Sequence, residues 1–436
     1  MCDSPGRKVE VASIATITRG VVAVVATVTL AAACSSGSSK DSGSGAASGQ
    51  LTGRGPITLA QGKDTSGNVQ NQINTWNKAH PKETVRLVEL PESADQQRQQ
   101  MVQNAQTKSD AYTVLNLDVV WTAEFAANRW VTPLPKDQFD LSKFLPSAVQ
   151  TGDYRGNLYA APWKTDAGLL YYRKDLLKNA GISAPPKTWA ELQSDCGKVK
   201  GVDCYAGQFD KYEGLTCNFS EAVDSAGGTV VDDQGKPNVN TPQAKQGLNF
   251  LVQGFKNGTI AKAAITYEEE DARRAFEKGN LLFLRQWPYQ WALSSKAPKT
   301  KGKFDVAPLP GLNGPGAPTL GGHNLAISSF AKNKATALDF IKYLTSEDTE
   351  RLNLVASSEA PTLASLYDEP ALQKKFPYLP TLKASLLNAK PRPKAVRYND
   401  VTTAIQESVY SALTGKSTTD QALADLQSKL GPLTQQ

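Results

Sequence analysis

Residues 169–192 read LLYYRKDLLKNAGISAPPKTWAEL, and the order of elements in them points to an α/β chain. Leu169–Tyr172 is apolar and aromatic, the composition of a buried strand. Asp175–Ala180 reads as a helix, and Gly181 fits the left-handed position just past its end. Pro185-Pro186 prevents continuation, because proline has no amide to donate. Thr188 then opens a second helix, with Glu191 three residues on completing a capping box.

The same alternation extends in both directions. Toward the N-terminus, Ile57–Ala60 reads as a strand and Val69–Ala79 as a helix, with Val69, Ile73, Trp76 and Ala79 at helical spacing. His80-Pro81 ends that helix, Val85–Leu90 is the next strand, Met101–Thr107 is helical, and Tyr112–Leu117 is an apolar strand. Toward the C-terminus, Gly279-Asn280 stops a helix before a strand at Leu281–Leu284. Phe304–Ala317 is rich in Pro and Gly and is expected to be a loop. Ala335–Leu344 is an amphipathic helix, and Thr345 and Asp348 have the spacing of another capping box. No internal repeat is visible.

Composition excludes several classes. At 40% hydrophobic the chain is too apolar to be disordered. Lys+Arg 48 against Asp+Glu 42 leaves +6, without the basic motif of a nucleic-acid binder. The two histidines, His80 and His323, stand far apart, so no HExxH or zinc pattern can be written, and neither lies near a GxSxG. No metal or cofactor is expected.

Arg7, Lys8 and Arg19 precede an apolar run, Val21–Ala33. It is shorter than the roughly 20 residues of a membrane span and fits a secretory signal over residues 1–33. Leu30-Ala31-Ala32-Ala33-Cys34 resembles the lipobox of bacterial lipoproteins, which implies a lipid on Cys34 that holds the protein on a membrane. Residues 34–55, rich in Gly and Ser, read as a flexible tether. Of the remaining cysteines, Cys196 and Cys204 are expected to pair, closing the polar excursion KVKGVD, and Cys217 to be a small core residue.

Four clusters are suited to a ligand. Asp118 ends the apolar strand in LNLDVVWTAEFAANRW, at the edge where α/β sheets bind ligands, although it also suits a helix cap. Trp163-Lys164-Thr165-Asp166 combines aromatic and charged groups. Tyr267-Glu268-Glu269-Glu270-Asp271 precedes FEKGNLLFLRQWPYQW, whose Trp287 and Tyr289 could stack on the C–H face of a sugar. In Gly321-Gly322-His323-Asn324 the paired glycines let backbone approach a ligand. Between residues 374 and 397 basic residues occur without an acid, a solvated face from which one arginine could enter a cleft. The carboxylates could also be a glycosidase acid/base pair, and a surface adhesin is a third reading.

Taken together these segments resemble the extracellular solute-binding proteins of bacterial ABC sugar importers, over roughly residues 56–415. The most specific pieces are the 169–192 stretch, FEKGNLLFLRQWPY and FIKYLTSEDTERLNLVAS with the following Ala360-Pro361. LDVVWTAEFAANRW, KYEGLTCNF and RQWPYQW look most like the trehalose/maltose-binding branch. The resemblance implies a two-lobed, periplasmic-binding-protein-like α/β fold with three interlobe crossings and a ligand cleft between the lobes. One lobe would hold 56–164 and 306–358, the other 165–305 and 359–436. Asp118 would accept sugar hydroxyls from one lobe, Asp166 and Trp287 would act from the other, and the Gly321-Gly322 backbone would donate. Glu269, Asp64 and either Arg392 or Arg397 would complete the shell, with His323 where the family often has Trp. The implied ligand is a disaccharide or α-glucoside and the implied partners are the permease subunits of an importer. The protein would be a monomer on the extracytoplasmic face of the membrane, binding without chemistry.

Overall fold

The computed structural model describes residues 51–64 and 66–434. The signal segment expected over 1–33, Cys34 and most of the 34–55 tether lie outside these residues.

The strands, in chain order, are β1 (Ile57–Gly62), β2 (Val85–Leu90), β3 (Val114–Asp118), β4 (Val131–Thr132), β5 (Asp153–Tyr154), β6 (Asn157–Leu158), β7 (Ala160–Ala167), β8 (Leu169–Arg173), β9 (Asp203–Ala206), β10 (Leu281–Gln286), β11 (Phe304–Ala307) and β12 (Leu320–Ser328). Among the described residues they form two main sheets. The first has the order β2-β1-β3-β12-β4, with β7 also paired to β12; β1, β2 and β3 are parallel, and β12 runs against β3 and β7. The second has the order β11-β8-β10-β9, with β8 antiparallel to both its neighbours.

Each sheet has its own apolar packing. One face of the first sheet meets the helices Asn68–Ala79 and Lys334–Leu344 through Val69, Ile73, Trp76, Phe340 and Ile341. The other face packs on Met101, Trp121 and Phe125. The second sheet is enclosed by helices that include Glu213–Ser225, Pro242–Asn257 and Tyr398–Leu413, in a separate and larger core. Two sheets with two cores make this a two-lobed α/β fold.

The chain passes between the sheets at three places. β7 leads through Gly168 into β8, and the loop after β11 returns to β12. After the helix Glu347–Ser357, residues 358–363 run beside β7, where the Thr165 amide donates to the Ala360 carbonyl at 3.2 Å. They then lead to helices packed in the second core. β7 is unbroken across residues 164 and 165, and β11 across 305 and 306, where the sequence reading sets lobe boundaries.

Two local expectations are corrected. Residues 304–307 are a strand, because Phe304–Ala307 finds a partner edge in β8 that local composition does not reveal. Thr345 does not cap a helix: its hydroxyl donates back to the Ile341 carbonyl at 3.0 Å, and Ser346 is the N-cap of Glu347–Ser357. The capping box of Thr188 and Glu191 is present as read. Cys196 and Cys204 are joined in a disulfide, with Cα atoms 5.3 Å apart, and Cys217 is a buried thiol.

Candidate functional site

One face of the first sheet changes character along its strands. Ile57 and Leu59 of β1, Val114 of β3, Leu325 and Ile327 of β12, and Ala161 and Trp163 of β7 share one apolar core. Side chains alternate along a strand, so the next residue on that face lies two positions on. On β1 it is Gln61, and on β3 it is Asn116 and then Asp118. His323 of β12 pairs with Asp118. β7 would run out of phase, but its ladder slips between His323 and Asn324, so that Lys164 pairs with His323 and Asp166 with Gly321. This bulge turns Lys164 and Asp166 to the common face, as bulges beside binding sites often do. The apolar face therefore ends in a polar row, which forms one wall of a cleft of about 300 Å³.

The opposite wall comes from elements of the second sheet. Trp287 follows β10, Glu269 starts the helix Glu269–Glu277, and Glu213 starts Glu213–Ser225. A Cβ on Gly321 would lie 2.8 Å from the Trp287 indole, and one on Gly322 only 2.2 Å from the Lys164 carbonyl oxygen. Gly322 also has φ +115°, a region that favours glycine. The paired glycines are ladder residues of β12 that admit a ring on one side and a close strand on the other.

Charges within the cleft are mostly matched to one another. The buried Arg392 guanidinium donates to Asp118 at 2.8 Å and to Glu213 at 2.5 Å, joining residues of the two walls. Tyr398 and Thr402 hydroxyls also donate to Glu213, at 2.5 and 2.7 Å. Lys164 pairs with Glu359 at 2.5 Å. For Asp64 burial opposes ionisation, but the Ser66 hydroxyl and the Ser66 and Val69 amides hold its carboxyl below the usual range. Burial raises the Glu269 carboxyl, which the Tyr212 hydroxyl meets at 2.7 Å. Burial lowers His323 to about 4, so it is neutral at pH 7. Asp166 is different. Among the described residues no donor reaches its carboxylate, and burial, with Glu359 and Asp118 nearby, pushes it up to about 7 against the pull of Lys164.

Nine of the expected residues line this cleft: Asp64, Asp118, Asp166, Glu269, Trp287, Gly321, Gly322, His323 and Arg392. Arg397 does not. Its guanidinium pairs on the surface with Asp400, one turn into the helix Tyr398–Leu413. Trp163 is buried in the core beneath Lys164, whose ammonium sits 4.2 Å from its ring centroid. Glu213 was not singled out by sequence reasoning, because an acid at the start of a helix ordinarily serves the helix dipole.

The cleft thus lies between two sheet-based lobes and is lined by carboxylates, tryptophan and arginine. A family model described as bacterial extracellular solute-binding protein matches residues 60–351. The chain belongs to this family. A probable ABC transporter-binding protein of Deinococcus radiodurans is 38% identical over 362 residues, covering 80% of this chain and 86% of that protein. A mannitol-binding protein of Pseudomonas aeruginosa is 25% identical, covering 82% of this chain and 88% of its own. Maltose-bound T. maritima MalE3 superposes with a TM-score of 0.82 at 36% identity, over 86% of this chain and 98% of that one. As an extracellular solute-binding protein, this chain acts outside the cytoplasm. No helix among the described residues is long and apolar enough to cross a membrane.

Proposed function

We propose that this protein captures a disaccharide or α-glucoside of the maltose or trehalose kind and delivers it to the permease of an ABC importer. It would act as a monomer, anchored through a lipid on Cys34 and a tether over 34–55, with its lobes divided at Gly168, in the loop between β11 and β12 and along residues 358–363, not within β7 and β11. The observation that carries the reading is Asp166, a carboxylate in the cleft without a donor among the described residues, two positions from Lys164 and paired in the ladder to the glycine that the Trp287 ring approaches. A sugar hydroxyl can donate to that carboxylate in a charge-assisted bond, worth about 1.5–3 kcal/mol, while an apolar ring face meets the indole. The likeness to maltose-bound MalE3 supports a disaccharide, and a volume of about 300 Å³ is at the small end of ligand pockets.

The test is a melting-temperature screen with maltose, trehalose and mannitol, followed by titration calorimetry of whichever sugar raises it. Trp287→Ala and Asp118→Ala are each expected to weaken that sugar at least about tenfold, or ~1.4 kcal/mol. Unchanged affinity in both variants would remove these residues from the site. Mass spectrometry should recover the sugar intact; cleavage products would replace the binding reading with a hydrolase.

A further inference from the structure

Gln61 and Asn116 sit where the apolar face of the first sheet gives way to the cleft. Leu59 pairs with Val114 and Ala60 with Leu115, so the next rung of these parallel strands sets Gln61 beside Asn116 on one face. Both side chains are more than nine-tenths buried, at 3% and 5% exposed, and both line the cleft. Among the described residues Gln61 Oε1 and Asn116 Oδ1 have no hydrogen-bond partner. Turning either amide over would only exchange an orphaned oxygen for an orphaned nitrogen. The adjacent Gln97 shows the contrast, since its amide lies against Gly62 and donates to the Glu92 carbonyl at 3.0 Å.

A buried polar group without a partner costs about 1–3 kcal/mol, and a residue kept for the fold alone would be given one. We infer that Gln61 and Asn116 are a ligand-reading pair, forming a neutral, hydroxyl-selective floor in the first-lobe half of the cleft. This rests on the sugar-capture reading and adds a neutral contact to the charged ones on the same wall. A carboxamide offers one acceptor and one donor group, which matches a hydroxyl that both donates and accepts. The ionic pair at this rim, Lys63 with Glu92 at 3.1 Å, is already closed on itself, so no unmatched charge here asks for a charged substituent. Asp166, farther along the same wall, and Trp287 on the opposite one supply the charge-assisted and stacking contacts.

Near-isosteric apolar replacements separate this role from a structural one. Gln61→Met and Asn116→Leu are titrated with maltose and with trehalose, and each ligand-free variant is melted. The expected result is at least tenfold weaker binding of whichever disaccharide the wild type takes, with a melting temperature equal to or above wild type, because the orphaned amide is gone. Wild-type affinity in both variants overturns the assignment, and so does a lowered melting temperature, which would make the pair a support of the fold. If the wild-type protein binds neither disaccharide, the functional reading beneath the assignment fails first, and that is seen before any substitution is made.

Discussion

Asp166 shows how much of this protein is written in single groups that the fold leaves unfinished. Its carboxyl is held up at about 7 by burial and by Glu359 and Asp118, so at neutral pH it is divided between two forms. A sugar hydroxyl donating to it favours the ionised form and draws the pKa down on binding. The sign follows: below about pH 6 the free protein holds a proton that the complex must release, and above pH 8 it does not. Affinity for the captured sugar is therefore expected to rise between pH 5.5 and 8, by up to about tenfold per unit below the raised pKa. Asp166→Asn should flatten the profile. Titration in buffers of different ionisation enthalpy would show proton release in wild type alone; a profile unchanged by the substitution would rule Asp166 out as its source. Asp166 was legible in the sequence from its company, Trp163 and Lys164, although only its neighbours' geometry separates it from Trp163, which is core. Arg392 and Arg397 could not be separated in the same way. Both lie in one basic stretch, and what distinguishes them is a pair of distant acids, Asp118 and Glu213, that meets only one of them.

Most elements carry their signal locally, although the Thr345 spacing misleads, and the features that escape the sequence are those set by partners far along the chain. The Thr188 capping box needs four residues and was visible; β11 needs the edge of β8, and the β7 bulge that aims Lys164 and Asp166 needs β12. The link between the helix Glu347–Ser357 and the crossing segment after it is a further case. Glu350 is fully buried and accepts from the Thr362 and Leu363 amides, at 2.8 and 3.0 Å, and from the Thr362 hydroxyl. Burial outweighs these hydrogen bonds and pushes its carboxyl up to about 8. With the folded value above the ordinary 4.5, the native state binds the extra proton, and its stability falls as pH rises between 4.5 and 8. Glu350→Gln removes that dependence while keeping an acceptor for the amides. It is expected to raise stability at pH 8 relative to its effect at pH 5 by at least about 1.4 kcal/mol, the worth of one pKa unit. Urea melts at the two pH values check this, and an equal effect at both would show that Glu350 is already ionised in the folded protein.

At the scale of the molecule, two cores built on two sheets must be held in a relation that leaves the cleft usable. Arg392 is a buried side chain that spans it, from Asp118 at the end of β3 to Glu213 at the start of Glu213–Ser225. Pro391 and Pro393 flank it, and a residue before proline is confined to extended backbone, so the arginine is presented from a stiff segment. Its side chain is 1% exposed, and the two carboxylates are nearly as buried. Such a pair need not stabilise more than apolar packing would, but breaking it strands the charges that remain, at about 3–5 kcal/mol. Arg392→Met is therefore expected to lower the stability of the ligand-free protein by that order at pH 7. Arg392→Lys should recover little, because one ammonium cannot reproduce a fork that meets two carboxylates. The decisive comparison is Arg392→Met combined with Glu213→Gln: if stranded charge is the cause, the double variant loses at least about 1 kcal/mol less than the sum of the singles. Strict additivity in urea melts would mean that Arg392 contributes through its packing alone, and that contacts other than this triad hold the two lobes across the cleft.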